Sequence, residues 1–577
     1  MKTFVKQLSA VIPALLLASC ADQGADKILY NASVWTVNPD QPEAEAVAIQ
    51  NGQILAVGSE GEVMEYRTDG TEVIDLEGAF VLPGLQDNHV HFASAARFLE
   101  FNIMQSSTQD EFVERIEDVT TRLEEGEWIL GGFWGAYDEW AAGTAGGEGA
   151  ARFTPDMSLV EDLTREYPVF IRRFDSSEFA VNRRALEEVG LDPDHPEAEG
   201  VEFETDQDGR PTGIVTGERV TEVFSPHIPD DFSRERRLEQ TRNALAEMAK
   251  YGVTTVSDMS DDTQVELYRE LEENGELTAR IHYRYHLERW EELAEDGVQP
   301  GSGSERLRFG SLKGHIDGIM GNSTARFFEP YDHQPDQRGS WRRLMLSEDG
   351  EPDPDQFLDY MVNADQAGLQ LTIHAIGDEA NNLLLDLYER MEEHNGERDR
   401  RFRLVHAQVM QDEDIERMGQ LGMIAEVQPI HLSDDMRWME ERIGTERSEG
   451  AYAFRSIDES GAMLSFGTDW PGTAASEYPI NPMLGLYAAT TRKTLQGEPE
   501  GGWFPDEKID METAVEAYTY NTAYANHMEH MVGSIQPGLQ ADLSVWEDSV
   551  FELSPEDMLE NKTLYTLIDG KVVYRRD

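Results

Sequence analysis

Along residues 27–82, short apolar runs are broken by Asn, Gly and Asp at hairpin spacing: ILYNASVWTV, EAVAIQNGQILAVG and TEVIDLEGAFVLPG. Runs of this kind with such breakers read as strands joined by tight turns. The same grammar returns in GSIQPGLQADLSVWE and LYTLIDGKVVYRRD near the other end. The pairing predicts one small β-sandwich domain assembled from both chain ends, residues 20–82 and 530–577. Between them, apolar strands alternate with helical stretches: GVTTVSDM, LQLTIHAIG, a helix near ANNLLLDLYERMEEH, then RFRLVHAQV. At this length the alternation predicts parallel β/α units closed into a (β/α)8 TIM-like barrel over 83–529. A stretch rich in Trp, Gly and acidic residues, about 94–240, is not needed for the alternation. It reads as an insertion after the first barrel strand, lying over the barrel mouth.

The first twenty residues follow a different pattern. Lys2 and Lys6 precede an apolar stretch from Leu8 to Leu17, which ends in Leu17-Ala18-Ser19-Cys20. About ten apolar residues are too few to span a bilayer but suit the core of a secretory signal. The last four resemble a bacterial lipobox, which implies a signal peptide over 1–19 and lipidation of Cys20. Ala21 follows, with Asp22 only after it, which resembles an outer-membrane signal. The expectation is an exported protein, lipid-anchored in the bacterial envelope at the outer membrane and facing the periplasm. Cys20 is the only cysteine, so the chain can form no internal disulfide.

Composition narrows the classes further. The chain of 577 residues is 39% hydrophobic and 28% charged, a globular composition. Its 113 acidic residues against 48 basic ones give a net charge of −65. A polyanion would be repelled, so nucleic acid is excluded as a partner. Only nine of the cations are lysine. Such a surface suits a saline medium, where salt screens its self-repulsion. The partner expected is a small-molecule substrate, with membrane contact through the anchor alone.

Candidate chemistry gathers at strand ends. Pro83-Gly84-Leu85-Gln86-Asp87-Asn88-His89-Val90-His91 places two histidines two apart beside an apolar strand, so both imidazoles can share one face. His374 ends the run LQLTI, His406 ends RFRLV, and Asp469 ends AMLSFGT. Barrel enzymes build their sites at these C-terminal strand ends, and neutral imidazole is a common zinc ligand. Lys313, in Leu312-Lys313-Gly314-His315-Ile316-Asp317-Gly318, follows another apolar run. An inward lysine is costly unless paired or modified. Carbamylation would make it an anionic oxygen ligand able to bridge two metals. His315 shares the Lys313 face, as ligand, substrate contact or core group. Asp317 either shapes its loop or touches substrate. Trp134, Tyr137, Trp140 and Trp470 are candidate contacts for an apolar substrate part, with packing as the alternative.

The series His-X-His, Lys, His, His, Asp resembles the amidohydrolase superfamily. The strings LPGLQDNHVH, GVTTVSDM, LKGHIDG, HAIGDEA, VHAQV and GTDWP are similar to amidohydrolase family three, and the likeness runs from about residue 27 to the end. The resemblance implies that His89 and His91 hold the more buried of two divalent metal ions with Asp469. His374 and His406 would hold the second, and a carbamylated Lys313 would bridge. Zinc is the default for such ligands. The implied activity is hydrolysis of a non-peptide C–N bond by a metal-activated hydroxide, with Asp469 as catalytic base and then acid. Two departures fall in the insertion, where Ser177 stands in place of a family histidine and Gly217 in place of a glutamate. Two alternatives stay open: a deaminase using one metal, and a lipid-anchored binding protein that has lost catalysis.

Overall fold

The computed structural model describes residues 24–576 other than 105, 107, 136–152, 174–176, 230–231 and 473–477. Cys20, the leader before it, Tyr137 and Trp140 lie outside the described residues. Eight parallel strands form the central sheet: β1 (Leu85–Val90), β2 (Val253–Met259), β3 (Arg280–His286), β4 (Leu307–His315), β5 (Leu371–Ala375), β6 (Arg403–His406), β7 (Ile424–Val427) and β8 (Met463–Phe466). They lie in sequence order, and a parallel bridge between Val90 and Trp470 brings the first and last together. The sheet closes as the (β/α)8 barrel. Its strands are buried almost throughout, as expected where helices cover the outside and side chains fill the inside. Register then fixes the neighbours at the mouth: His315 sits beside His374, and Ala375 beside His406.

Both chain ends build a second, all-β layer. A four-stranded sheet holds Lys27–Tyr30, Ala46–Gln50, Gln53–Gly58 and Glu72–Asp75. A six-stranded sheet pairs Phe80–Pro83 with the C-terminal strand Leu543–Trp546, which continues into Thr563–Ile568 and Lys571–Arg575. Leu29, Val47, Ile49, Val81, Leu543, Val545 and Leu567 pack together as the core of the sandwich. Its hairpins turn at Asn51-Gly52 and Asp569-Gly570, where both residues of each pair have positive φ, the geometry that matches strand twist. The run ILYNASVWTV is not one strand. It crosses between the sheets at Asn31, whose φ is 53° and whose side-chain amide donates to Asp75.

The insertion forms its own five-stranded sheet, ordered Glu202–Thr205, Pro211–Thr216, Phe179–Val181, Val169–Arg173, Ile129–Trp134. Gly217 has φ 125°, and a Cβ there would stand 2.3 Å from the Gly200 carbonyl oxygen. A side chain of any kind is therefore excluded at the position where the family pattern has glutamate. The insertion side is tied to the barrel helix Arg234–Lys250 by Arg236, which donates to both Glu100 oxygens at 2.6–3.2 Å.

Barrel and sandwich are joined by a buried charge. Arg280 is 1% exposed and donates to both oxygens of Asp542 at 2.7 and 2.9 Å, and also to Asp569. Burial works to raise the Asp569 carboxyl, but Arg280 and Arg306 hold it below its ordinary value. Arg280→Leu should therefore lower stability by about 3–5 kcal/mol, the cost of leaving buried carboxylates unpaired. The Asp569 share is present above the ordinary carboxylate pKa and lost as pH falls through the depressed one, so the deficit should narrow below about pH 4. Urea unfolding of both proteins at pH 7 and pH 3.5 would test this. An unchanged midpoint at pH 7 would rule out the joint.

Candidate metal centre

Six residues expected at the site, together with His315, line a single cavity of 270 Å³ at the C-terminal ends of the strands: His89, His91, Lys313, His374, His406 and Asp469. His89 is the penultimate residue of β1 and His91 directly follows the strand, and the i, i+2 spacing turns both rings inward. His91 Nε2 lies 3.1 Å from Asp469 Oδ1, and His89 Nε2 lies 3.5 Å from the same oxygen. Lys313 Nζ is 3.5 Å from His89 Nε2. His406 and Asp469 both adopt left-handed backbone, with φ 75° and 58°. Non-glycine residues are held there only when their surroundings demand it, and such strain concentrates at functional sites.

Each of three imidazoles has one nitrogen already committed. His89 Nδ1 donates to Glu426 Oε1 at 3.1 Å, His406 Nδ1 to Gln428 Oε1 at 2.7 Å, and His374 Nε2 to the Gly318 carbonyl at 2.9 Å. A neutral imidazole with its proton so placed offers its other nitrogen as a lone pair. Burial drives His89 down to about 3, with Lys313 adding to the effect, and burial drives His406 well below the ordinary value. Burial would raise Asp469, yet the His89 ring and the His91 hydrogen bond bring its carboxyl well below the usual range. Neutral rings around an ionised carboxylate suit a divalent cation, and the donor atoms of His89, His91 and Asp469 lie within 4.8 Å of one another.

Lys313 is 2% exposed. Burial is the main cause that pulls its ammonium down to about 7; Glu426 opposes the shift and Arg284 adds to it. A substantial fraction of the amine is thus neutral near pH 7. Behind it, Glu426 has no exposure and takes hydrogen bonds from Arg284 at 2.6 and 2.9 Å and from Arg403 at 3.2 Å. Asp87, at the base of β1, accepts from the backbone N–H groups of His89 and Thr468 and from the Thr468 hydroxyl, tying the first strand to the eighth.

Three expected contacts do not reach the cavity. Trp134 is fully buried among Phe112, Ile116, Ile129 and Ile171 in the insertion's own core. Trp470 is 2% exposed and packs edge-on against Phe92, on the core side of the strand end that presents Asp469. Asp317 has no exposure and accepts from the backbone N–H groups of Arg326, Ile376 and Gly377, so it shapes the loop rather than touching substrate. Among the described residues, the walls come instead from the loop after β4 (Ile319, Met320, Arg342) and the segment after β7 (His431, Asp435, Trp438). Ser177 lies within reach of Arg173 Nη1 at 3.4 Å and does not line the cavity.

His431, Asp435 and Glu426 were not legible as site residues. Asp435 is buried, which pushes its carboxyl up to about 7 despite hydrogen bonds from the Tyr452 hydroxyl and the Gln408 amide. The available signal was the short run ending at Val427, a strand end like the others, followed by Gln428-Pro429 and then His431.

A barrel with this constellation at its C-terminal mouth defines a metal-dependent hydrolase. The model of the Amidohydrolase family matches residues 72–574, and the chain belongs to that family. Among its relatives, Protein LONG AFTER FAR-RED 3 of Arabidopsis thaliana is 32% identical over 95% of this chain and 92% of that one. N-substituted formamide deformylase of Arthrobacter pascens is 26% identical over 96% and 99%. An uncharacterized metal-dependent hydrolase of Pyrococcus horikoshii shares the fold with a TM-score of 0.70 at 25% identity, covering 92% of this chain and 99% of that one.

The commitment of His406 Nδ1 to Gln428 can be tested by removing the acceptor. Gln428→Leu should leave the barrel folded but weaken metal binding by about 10- to 100-fold, the usual effect of losing a partner behind a ligand. Competition with a chelator measures it. Wild-type affinity in the variant would show that the tether does not orient the ring.

Proposed function

We propose that the protein hydrolyses a non-peptide amide bond of a small molecule, with two divalent cations, zinc by default, held by His89, His91, His374, His406, Asp469 and a carbamylated Lys313. The approach of His89 and His91 to one Asp469 oxygen, with the Lys313 amine 3.5 Å from the same His89, carries this reading. Bound there, the cations would supply Lewis-acid activation of water and of the scissile carbonyl. Lys313, with a substantial neutral fraction near pH 7, has the lone pair that would combine with carbon dioxide. A bridging lysine has no task in a one-metal site, so its place in the cavity favours the hydrolase over the deaminase. An N-substituted formamide deformylase among the relatives supports an amide C–N bond as the target.

Asp469 supplies the acid–base chemistry. Its Oδ2, the oxygen that the two histidines leave free, takes a proton from the attacking water as the C–O bond forms. It then delivers that proton to the nitrogen as the C–N bond breaks. The walls of Ile319, Met320, Ile376 and Trp438 give the substrate an apolar seat.

The Lys2 to Cys20 leader supports export and a lipid anchor in the envelope. Cys20→Ser should move the protein from the membrane fraction to the soluble fraction of the producing cell without changing its specific activity. Retention in the membrane fraction would remove the anchor.

Asp469→Asn keeps the shape and one oxygen but cannot carry the proton. On a panel of N-substituted amides, kcat should fall by about 10² to 10⁴ while the metal content stays near that of the wild type. Metal loss in step with rate would make Asp469 a ligand only. A metal-loaded wild type inert across the whole panel would return the binding-protein reading.

A further inference from the structure

The loop after β4 brings one guanidinium to the cavity wall with no carboxylate to answer it. Asp317 forms an antiparallel bridge with Trp341, and the next residue, Arg342, donates its backbone N–H to the Ile316 carbonyl at 2.9 Å. The exposed side chain of Arg342 is then held by one nitrogen, Nε, which donates to the Asp317 carbonyl at 3.1 Å. The following carbonyl, that of Gly318, lies 2.9 Å from Nε2 of His374. The guanidinium is thus anchored one peptide unit from a proposed metal ligand, and it lines the same cavity. Both of its Nη groups are left without an acceptor among the described residues. Its neighbours on the loop differ: Arg326 and Arg338 share Glu379 at 2.8 and 3.0 Å, and Arg343 pairs with Glu288. The chain has 113 acidic residues, yet none of those described pairs with Arg342. The two carboxyl groups that share the cavity are engaged elsewhere, Asp469 with His89 and His91, and Asp435 with Tyr452 and Gln408.

We propose that Arg342 binds a carboxylate of the substrate through its two Nη groups, so that the enzyme selects amides carrying a carboxylate a few bonds from the scissile C–N bond. N-acyl amino acids and N-alkyl succinamates are of this class. The proposal rests on the amide-hydrolase reading and names its substrate class. A guanidinium is always charged and presents its N–H groups as a planar fork that matches the two oxygens of a carboxylate. With Nε tied to a backbone carbonyl the fork is pre-set, so less freedom is lost when the substrate docks. The net charge of −65 repels an anion, but physiological salt screens that repulsion beyond about 8 Å. Attraction must therefore come from a cation at the cavity itself, and among the described residues that line it Arg342 is the only guanidinium. Ile319 and Met320 on the same loop take the apolar part of the molecule.

The test uses metal-loaded holoenzyme and pairs of amides that differ only in charge. N-formylglycine, N-acetylglycine and N-benzoylglycine are set against the N-isobutyl amides of the same acids, in which a branched alkyl group replaces the carboxylate. N-butylsuccinamic acid is set against N-butyl-4-methylpentanamide, which places the carboxylate on the acyl side instead. In the wild type, kcat/KM for the acid should exceed that for its neutral isostere by at least about tenfold in one or both series, the size of a charge-assisted hydrogen bond. Arg342→Met keeps the length without the charge, and should lower that acid-to-isostere ratio by about 10- to 100-fold. Arg342→Lys keeps the charge but not the fork, and should hold the ratio between those of the wild type and the Met variant. Metal content should equal that of the wild type in each variant. Arg342→Gln, which can still donate to the Asp317 carbonyl, serves if the Met variant does not accumulate folded. A ratio that stays at the wild-type value in the neutral variants would overturn the proposal, because a loss shared by acid and isostere is structural. Loss of metal in the variants, or a wild type that cleaves the isosteres as well as the acids, would overturn it too. A wild type that cleaves no member of either series overturns the amide reading itself, whereas an active wild type with an unchanged ratio in the variants overturns this inference alone.

Discussion

Glu426 sits inside the barrel with no exposure to solvent, and the charge it carries there organises what surrounds it. Burial alone would raise its carboxyl, but Arg284, His89 and Arg403 together hold it well below its ordinary value. An isolated carboxylate could not remain ionised at that depth; one flanked by two guanidiniums and an imidazole can. The partners come from β3, β6 and β1, so one side chain of β7 ties four strands together across the barrel interior. It also fixes the tautomer of His89, and so decides which nitrogen faces the cavity. The same cluster sets the field at Lys313, where Arg284 and burial together favour the neutral amine. Scaffold and chemistry are thus joined at one carboxylate.

The parts of the site legible in the sequence were those whose chemistry lies on a strand end. His89 and His91 stood out because a spacing of two on an extended segment has one geometric meaning. His374, His406 and Asp469 stood out because each closes an apolar run. The partners behind them were hidden by the same logic. Arg284, Arg403 and Glu426 lie within strands and point into the barrel, where a charged residue between apolar ones reads as an outward-facing position. His431 was hidden because it lies four residues beyond the end of β7, on a helix whose turns no short strand pattern can anticipate. Trp134 and Trp470 failed for the converse reason. An aromatic residue near a predicted mouth carries no mark that separates a substrate wall from packing, and both proved to be packing.

The fold read more completely than its joints. Turn residues with positive φ, Asn51-Gly52 and Asp569-Gly570, marked hairpins by chemistry that tertiary context does not override. Asn31 has the same backbone habit but does a different task, letting the chain leave one sheet for the other. The insertion's separate sheet explains why a Trp- and Gly-rich stretch could sit inside the barrel alternation without disturbing it. It has its own apolar core, and Arg236 with Glu100 supplies a local attachment.

The net charge of −65 bears on the site through distance. At physiological ionic strength a surface carboxylate is felt over about 8 Å, so the acidic shell raises the concentration of divalent cations near the protein without setting potentials inside it. Within the barrel the balance is different: Arg284 and Arg403 face Glu426, and neutral rings surround Asp469. A cation drawn to the surface therefore finds, at the cavity, lone pairs already turned inward and one ionised carboxylate. The outer charge gathers the metal, and the buried network determines where it can stay.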